Sequence, residues 1–243
     1  MTRRRFCAPR SAFNFTKHTV TLTADEARHL REVLRLKPGD EVSVFDGEGK
    51  EYRARVVQAR REFAELELAE EIATARPESP LQLTLAVALL KGEKFDFVVQ
   101  KATELGVHKI VPLITRYADI KLRDESDASK RVTRWQRIAL EAAKQSGRAV
   151  VPKVENPTPF AAVLSPSNPC LLFSERGGHG LTRIENPITA IIGSEGGWSD
   201  EELEQARAAG AQIVTLGGRI LRAETAAITA AALLQHRFGD LEW

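Results

Sequence analysis

The sequence predicts an α/β protein in two parts: a small N-terminal β-barrel or sheet, then a domain with a mainly parallel sheet covered by helices. Three observations predict it. Apolar and polar residues alternate at strand period from about residue 41 to 68, "ATARPESP" (residues 73–80) breaks all periodicity, and strand-like and helix-like runs then alternate. Alternation of that last kind implies parallel strands joined by crossover helices. The predicted boundaries are 1–72 for the barrel, 73–80 for a linker and 81–243 for the α/β domain.

In the first part, His29, Leu30, Val33 and Leu34 fall at helical spacing within a predicted helix from Asp25 to Leu36, which Lys37-Pro38-Gly39 stops. In "EVSVFDGEGKEYRARVV" the apolar positions Val42 and Val44, then Tyr52, Ala54 and Val56, flank Asp46-Gly47. Glycine accepts the positive φ of a hairpin turn, so two paired strands are expected. Phe63 to Leu68 continues as a third.

In the second part, Leu81 to Leu90 reads as a strand. Phe95, Val98, Val99, Ala102 and Leu105 then mark a helix that Gly106 ends, and Lys109 to Ile114 is again strand-like. A helix from about Ser129 to Ser146 places Val132, Trp135, Ile138, Ala139 and Ala142 on one side. Its other side reads as a mostly basic stripe of Lys130, Arg134, Arg137, Glu141, Lys144 and Arg148. Three short apolar runs follow, Cys170 to Phe173, Ile188 to Ile192 and Ala211 to Leu216, each ending in a glycine-rich or charged loop. Ligands of open α/β sheets bind beyond the carboxyl ends of strands, so these loops suggest one composite small-molecule site.

Composition narrows the class. Hydrophobic residues are 43% and charged residues 28% of 243, as in a globular protein. No basic-then-apolar leader and no apolar run near the roughly 20 residues of a membrane span is present, which reads as cytoplasmic. Cys7 and Cys170 stand far apart without nearby histidine spacing, so neither a disulfide framework nor a metal site is suggested. Residues 1–37 hold nine Lys/Arg against three Asp/Glu, a net +6, which leaves −4 on the rest of a chain of net +2. A basic end on a near-neutral protein fits a phosphate-rich partner. The leading phosphate contacts are Arg3, Arg4, Arg5 and Arg10, supported by Arg28, Arg31 and Arg35.

The loop "IIGSEGGWSDEEL" carries the most chemistry. Gly193, Gly196 and Gly197 allow tight turning and close approach to a ligand. Ser199 and Glu202 have capping-box spacing and Gly210 ends the helix that follows. A phosphate cradle does not fit, because Glu195 lies within the loop, Asp200, Glu201 and Glu202 crowd the first turn, and no lysine follows the glycines. A ligand without phosphate, adenosine-like and partly cationic, suits the loop better. Backbone groups around Gly193, Leu216, Gly217 and Leu221 would read an adenine edge, and S-adenosylmethionine has this character.

"IIGSEGGWSDEEL" and "LGGRILRAETAAITAAALLQHRFGD" resemble the paired signatures of the RsmE family of SPOUT-superfamily RNA methyltransferases. "LLKGEKFDFVVQKATELGVHKIVPLIT", "RWQRIALEAAKQSGR" and "HLREVLRLKPGDEVSVFDGEG" resemble it too, so the likeness covers nearly the whole chain. It implies a PUA-like barrel, an α/β domain with a trefoil knot, a homodimer and methylation of N3 of one uridine in 16S ribosomal RNA of the small subunit. It also implies bound S-adenosylmethionine and no metal. The candidate cofactor contacts are Leu172 and Phe173, then Gly193, Ser194, Glu195, Gly196 and Gly197. The last loop adds Leu216, Gly217, Ile220, Leu221, Arg222 and Thr225. Ser194 stands where family members often carry proline, which is expected to loosen the loop slightly.

Methyl transfer to N3 is an in-line displacement, and the proton on N3 must be removed or the anion stabilised. Arg222 is the candidate for stabilising charge on the uracil oxygens, with Glu224 or Glu195 orienting it or accepting the proton. Glu224 and Thr225 are equally suited to capping the last helix. Two other readings share these features: a catalytically silent RNA-binding assembly factor, and a related enzyme modifying another RNA position.

Overall fold

The chain divides into two units, Met1–Glu78 with Ala143–Val151, and Ser79–Ala142 with Pro152–Trp243. The computed structural model describes residues 4–164, 169–181 and 185–242.

The first unit contains β1 (Arg5–Cys7), β2 (Phe13–Asn14), β3 (Thr19–Leu22), α1 (Ala24–Arg28), β4 (Glu41–Phe45), β5 (Glu51–Ala59) and β6 (Ala64–Ile72). The strands form one curled half-barrel in the order β1-β4-β5-β6-β3-β2. Among the described residues, β1 and β4 run parallel and the other pairs of this sheet are antiparallel. Successive strand side chains point to opposite faces, so Tyr52, Ala54 and Val56 of β5 and Ala64, Leu66 and Leu68 of β6 all turn inward. They close over Phe6, Val20, Leu22, Leu30 and Val44, each fully buried. The predicted turn is present: Gly47 has φ +79°, and Asp46 Oδ1 accepts from the amides of Glu48 and Lys50 at 2.9 and 3.0 Å.

The predicted helix over 25–36 is not continuous. After α1 the backbone widens into a π-helical turn at His29–Val33, where Leu34 N donates to His29 O, and Arg35 adopts φ +52°. Widening keeps Leu30 and Leu36 buried but leaves Val33 67% exposed, against its predicted inward place.

The 143–151 stretch is tied to this unit by charge. Lys144 Nζ lies 2.7 Å from Glu26 Oε1, and Arg148 Nη2 lies 2.8 Å from Glu78 Oε2. Both cations are buried, so they leave the solvent-facing basic stripe that helical spacing predicts; Arg148 also lies beyond the helix end.

The second unit contains β7 (Leu83–Ala88), α2 (Lys94–Glu104), β8 (Lys109–Ile114), most of α3 (Glu125–Ser146), β9 (Lys153–Val154), β10 (Thr158–Pro159) and α4 (Phe160–Val163). It continues with β11 (Cys170–Phe173), β12 (Ile188–Ile192), α5 (Asp200–Ala208), β13 (Gln212–Val214) and α6 (Ala223–Phe238). Every strand pair is parallel, in the order β10-β8-β7-β12-β11-β13 with β9 also on β8. β7, β11 and β12 are apolar runs rather than alternating ones because both faces are covered. One side packs Ala86, Leu113, Leu172, Ile191 and Trp198 together. The order makes β12, β11 and β13 neighbours, so the three glycine-rich or charged loops leave the sheet side by side.

Candidate active site

The loops after β11, β12 and β13 enclose a cleft of about 420 Å³, within the range of small-molecule sites. Its floor is Phe173, Ile192 and Val214, the last residues of the three strands. The loop after β12 turns sharply: Gly197 has φ +70° and its amide donates to Ser194 O at 3.0 Å. At Gly196 a Cβ would meet Tyr117 Cβ at 2.7 Å, so only glycine fits without movement. Ser194 Oγ donates to Tyr117 O at 3.0 Å and is buried, so serine here adds a tie; the predicted loosening is offset.

Firm elements hold the loop on both sides. Trp198 Nε1 donates to Phe173 O at 2.8 Å. Ser199 caps α5 in the predicted capping box, with Ser199 Oγ accepting from Glu202 N and Glu202 Oε2 accepting from Ser199 N. Glu202 Oε1 accepts from Arg116 N at 2.9 Å, which joins the loop after β8 to the same helix start. The loop after β11 returns along β13, with His179 N donating to Ile213 O and Thr215 N to His179 O. His179 is therefore placed by its backbone, and its residue is exposed.

The structure brings most predicted cofactor residues to one cleft. Phe173, Gly193, Ser194, Glu195, Gly196 and Gly197 line it from one side, and Leu216, Ile220, Leu221 and Arg222 from the other. Three predicted residues fall outside this lining. Leu172 alternates with Phe173 and faces the core, fully buried; Gly217 turns the chain at φ +62°; Thr225 is exposed on α6. Glu175, Trp198 and Arg219 line the cleft and were not predicted, although the loops that carry them were.

Charge is concentrated at one edge. Arg222 is the N-cap residue of α6 and is exposed at the cleft. Lys94, at the start of α2, donates from Nζ to Glu195 Oε1 at 2.7 Å and lies 3.9 Å from Glu224 Oε2. Its ammonium is held above the ordinary lysine range, first by the hydrogen bond to Glu195 and further by both carboxylates, against the opposing Arg222 charge. Glu224 does not line the cleft, and among the described residues its buried Oε2 accepts no hydrogen bond. Sequence reasoning missed Lys94, because "KGEK" reads as a helix start; the flanking of a glycine by two lysines was the available signal.

In the first unit the predicted phosphate contacts divide. Arg4, Arg10 and Arg28 are exposed, with side chains 3.3, 2.9 and 3.8 Å from Asp40, Asp46 and Asp25. Arg31 pairs with Glu32 and Arg35 is exposed. Arg5 is a correction. Its guanidinium donates to both oxygens of fully buried Glu51 at 3.1 and 3.2 Å, donates to Arg148 O at 2.8 Å and lies 3.8 Å over the Phe45 ring. It is a buried structural cation and offers no face to a phosphate. Arg3 lies outside the described residues.

The cleft at the carboxyl ends of parallel strands and the small curled sheet belong to an RNA methyltransferase domain and an RNA methyltransferase PUA domain, as the family models show. The family model of the RNA methyltransferase domain matches residues 77–235, and that of the RNA methyltransferase PUA domain matches residues 22–69. Among curated relatives, the ribosomal RNA small subunit methyltransferase E of Synechocystis is 37% identical, over 88% of this chain and 72% of that protein. The crystal structure of the Neisseria gonorrhoeae ribosomal RNA small subunit methyltransferase E bound to S-adenosyl methionine is 38% identical, with TM-score 0.88 over 99% of this chain and 100% of that one. A Legionella pneumophila methyltransferase structure in complex with the same cofactor is 32% identical, with TM-score 0.89 over 98% and 99% of the two chains. The chain belongs to the ribosomal RNA small subunit methyltransferase E family.

Proposed function

We propose that this protein transfers a methyl group from S-adenosylmethionine to N3 of a uridine in 16S ribosomal RNA of the small subunit. The carrying observation is the cleft itself: three neighbouring strand ends bring the glycine turn, Glu195 and Arg222 to one lining. The fit to this cofactor is chemical. The floor is apolar, and the carboxylates of Glu175 and Glu195 stand in the wall, where a sulfonium is tolerated. The cofactor supplies the electrophilic methyl group.

The chain's own residues do the remaining work. The lining fixes the cofactor so that the attacking nitrogen approaches in line, which converts a bimolecular step into an oriented one. Arg222, exposed at the α6 N-terminus, balances negative charge that grows on the uracil oxygens, helped by the positive end of the helix dipole. Of the two predicted acids, only Glu195 lies in the cleft lining, and it is the better placed of the pair to take the N3 proton.

On the first unit, Arg4, Arg10, Arg28, Arg31 and Arg35 are the phosphate contacts of this reading. Phe15, 45% exposed and stacked on Phe13 at 5.8 Å, offers a flat face to an unpaired base. The enzyme is read as a cytoplasmic homodimer with a trefoil knot in its methyltransferase domain, as family resemblance implies. The test combines purified protein, methyl-labelled S-adenosylmethionine and small subunits lacking the modification, followed by nucleoside mass spectrometry. N3-methyluridine is the expected product. A different methylated nucleoside would move the acceptor site, and no product with RNA still bound would favour an assembly role.

A further inference from the structure

We propose that Lys94 is a positioning residue for methyl transfer: held by the charge of Glu224, it clasps the cleft-lining Glu195 by one carboxylate oxygen and leaves the other for the reaction. This inference rests on the methyltransferase reading above. Three elements meet at the ammonium. Lys94 opens α2, Glu195 lies in the loop after β12, and Glu224 lies in the first turn of α6.

The geometry separates the two acids, which sequence chemistry left equivalent. Glu195 lines the cleft and gives Oε1 to Lys94 at 2.7 Å. Its hydrogen bond leaves Oε2 uncommitted to Lys94, and a carboxylate held at one oxygen cannot swing away from the wall. Glu224 is 15% exposed by side chain, does not line the cleft, and has a buried Oε2, 3.9 Å from the ammonium, with no hydrogen-bond partner among the described residues. An unpaired buried carboxylate oxygen is costly unless a cation offsets it, so Glu224 holds Lys94 in place by charge. Glu224 is thereby assigned to the support of the site rather than to contact with the substrate.

Arg222 explains why such support is needed. It lines the same cleft, and its positive charge repels the like charge of Lys94. Without Lys94, Glu195 would be drawn toward Arg222, neutralising the group assigned to the uracil oxygens. Lys94 therefore keeps the acid and the arginine apart as separate functions.

The test compares Lys94→Met, Lys94→Arg and Glu224→Gln with wild type in the N3-methylation assay, with cofactor affinity measured by calorimetry and folding by thermal melts. Lys94→Met should lower kcat about 100-fold, the cost of a small misplacement near the reacting atoms, while cofactor Kd and KM for RNA change less than about threefold. Lys94→Arg should recover at least about tenfold of that loss, and Glu224→Gln should lower kcat in the same direction by a smaller factor. A purely structural lysine would lower the melting temperature or raise Kd and leave kcat intact, and that outcome overturns the proposal. If Lys94→Met does not fold, Glu224→Gln and Lys94→Arg decide: unchanged kcat in both overturns it as well. Wild-type protein that binds cofactor but methylates no uridine would overturn the function reading and this role together, whereas normal wild-type turnover with an unmoved kcat in the variants overturns this role alone.

Discussion

Single side chains decide what charge in this sequence is for. Arg4 and Arg5 are adjacent and identical in type, yet Arg4 is exposed and Arg5 is buried against Glu51. Removing one partner of a buried ion pair strands the other, so Arg5→Ala should destabilise the protein by about 3–5 kcal/mol in denaturant unfolding. Arg4→Ala, at a surface pair, should cost less than about 1 kcal/mol and instead weaken RNA binding. The sequence showed both as a basic run and contained no sign of the difference, because Glu51 is 46 residues from Arg5 and only strand pairing brings it there. Lys94 gives a pH prediction. Its folded value is raised, so the clasp on Glu195 contributes fully below the unfolded value of about 10.4 and is lost as pH rises through the higher folded one. The melting difference between wild type and Lys94→Met should stay constant from about pH 7 to 9 and shrink only in more alkaline solution. A difference that disappears near neutrality would show that the ammonium is not what holds Glu195.

Elements were far more legible than side-chain partners. β8, β11 and β12 begin and end where their apolar runs do, and the capping residues of α5 were readable from Ser199 and Glu202 alone. Those signals are local: strand burial and cap hydrogen bonds depend on residues within a few positions. The 29–36 segment was misread because a widened turn preserves the spacing of Leu30 and Leu36 while rotating Val33 outward, a change no periodicity records. The capping box carries its own prediction. Ser199→Ala removes the acceptor for Glu202 N and should cost about 1 kcal/mol. Glu202→Ala removes two acceptors at once, for Ser199 N and Arg116 N, and should cost more in the same unfolding experiment. Both helix-start variants should also raise cofactor Kd, because the turn at Gly196 and Gly197 runs directly into this cap.

At the scale of the whole molecule, the candidate site was legible as three loops but not as a cleft. Alternating strands and helices announce a parallel sheet; they do not announce that β12 and β11 would lie between β7 and β13, the order that sets the loops side by side. Strand order is decided by long-range packing, as is the assignment of residues 143–151 to the first unit. The net charge needs the same correction. The +6 of residues 1–37 overstates the basic surface, since Arg5 is neutralised inside and Arg4, Arg10, Arg28 and Arg31 each face a nearby acid. Binding to RNA should therefore depend on salt less steeply than nine cations would require. Each phosphate contact adds roughly 0.7 to 0.9 to the slope of log K against log salt concentration. Replacing Arg28 and Arg31 together by alanine should flatten that slope by between about 1 and 2 while leaving the melting temperature unchanged, because both side chains reach solvent and pair only with near neighbours in sequence. An unaltered slope would remove that face from the RNA contact and leave Arg4, Arg10 and Arg35 to carry it. Arg5→Ala examined beside them would give the opposite pattern, a loss of stability first and of salt dependence only as a consequence of unfolding.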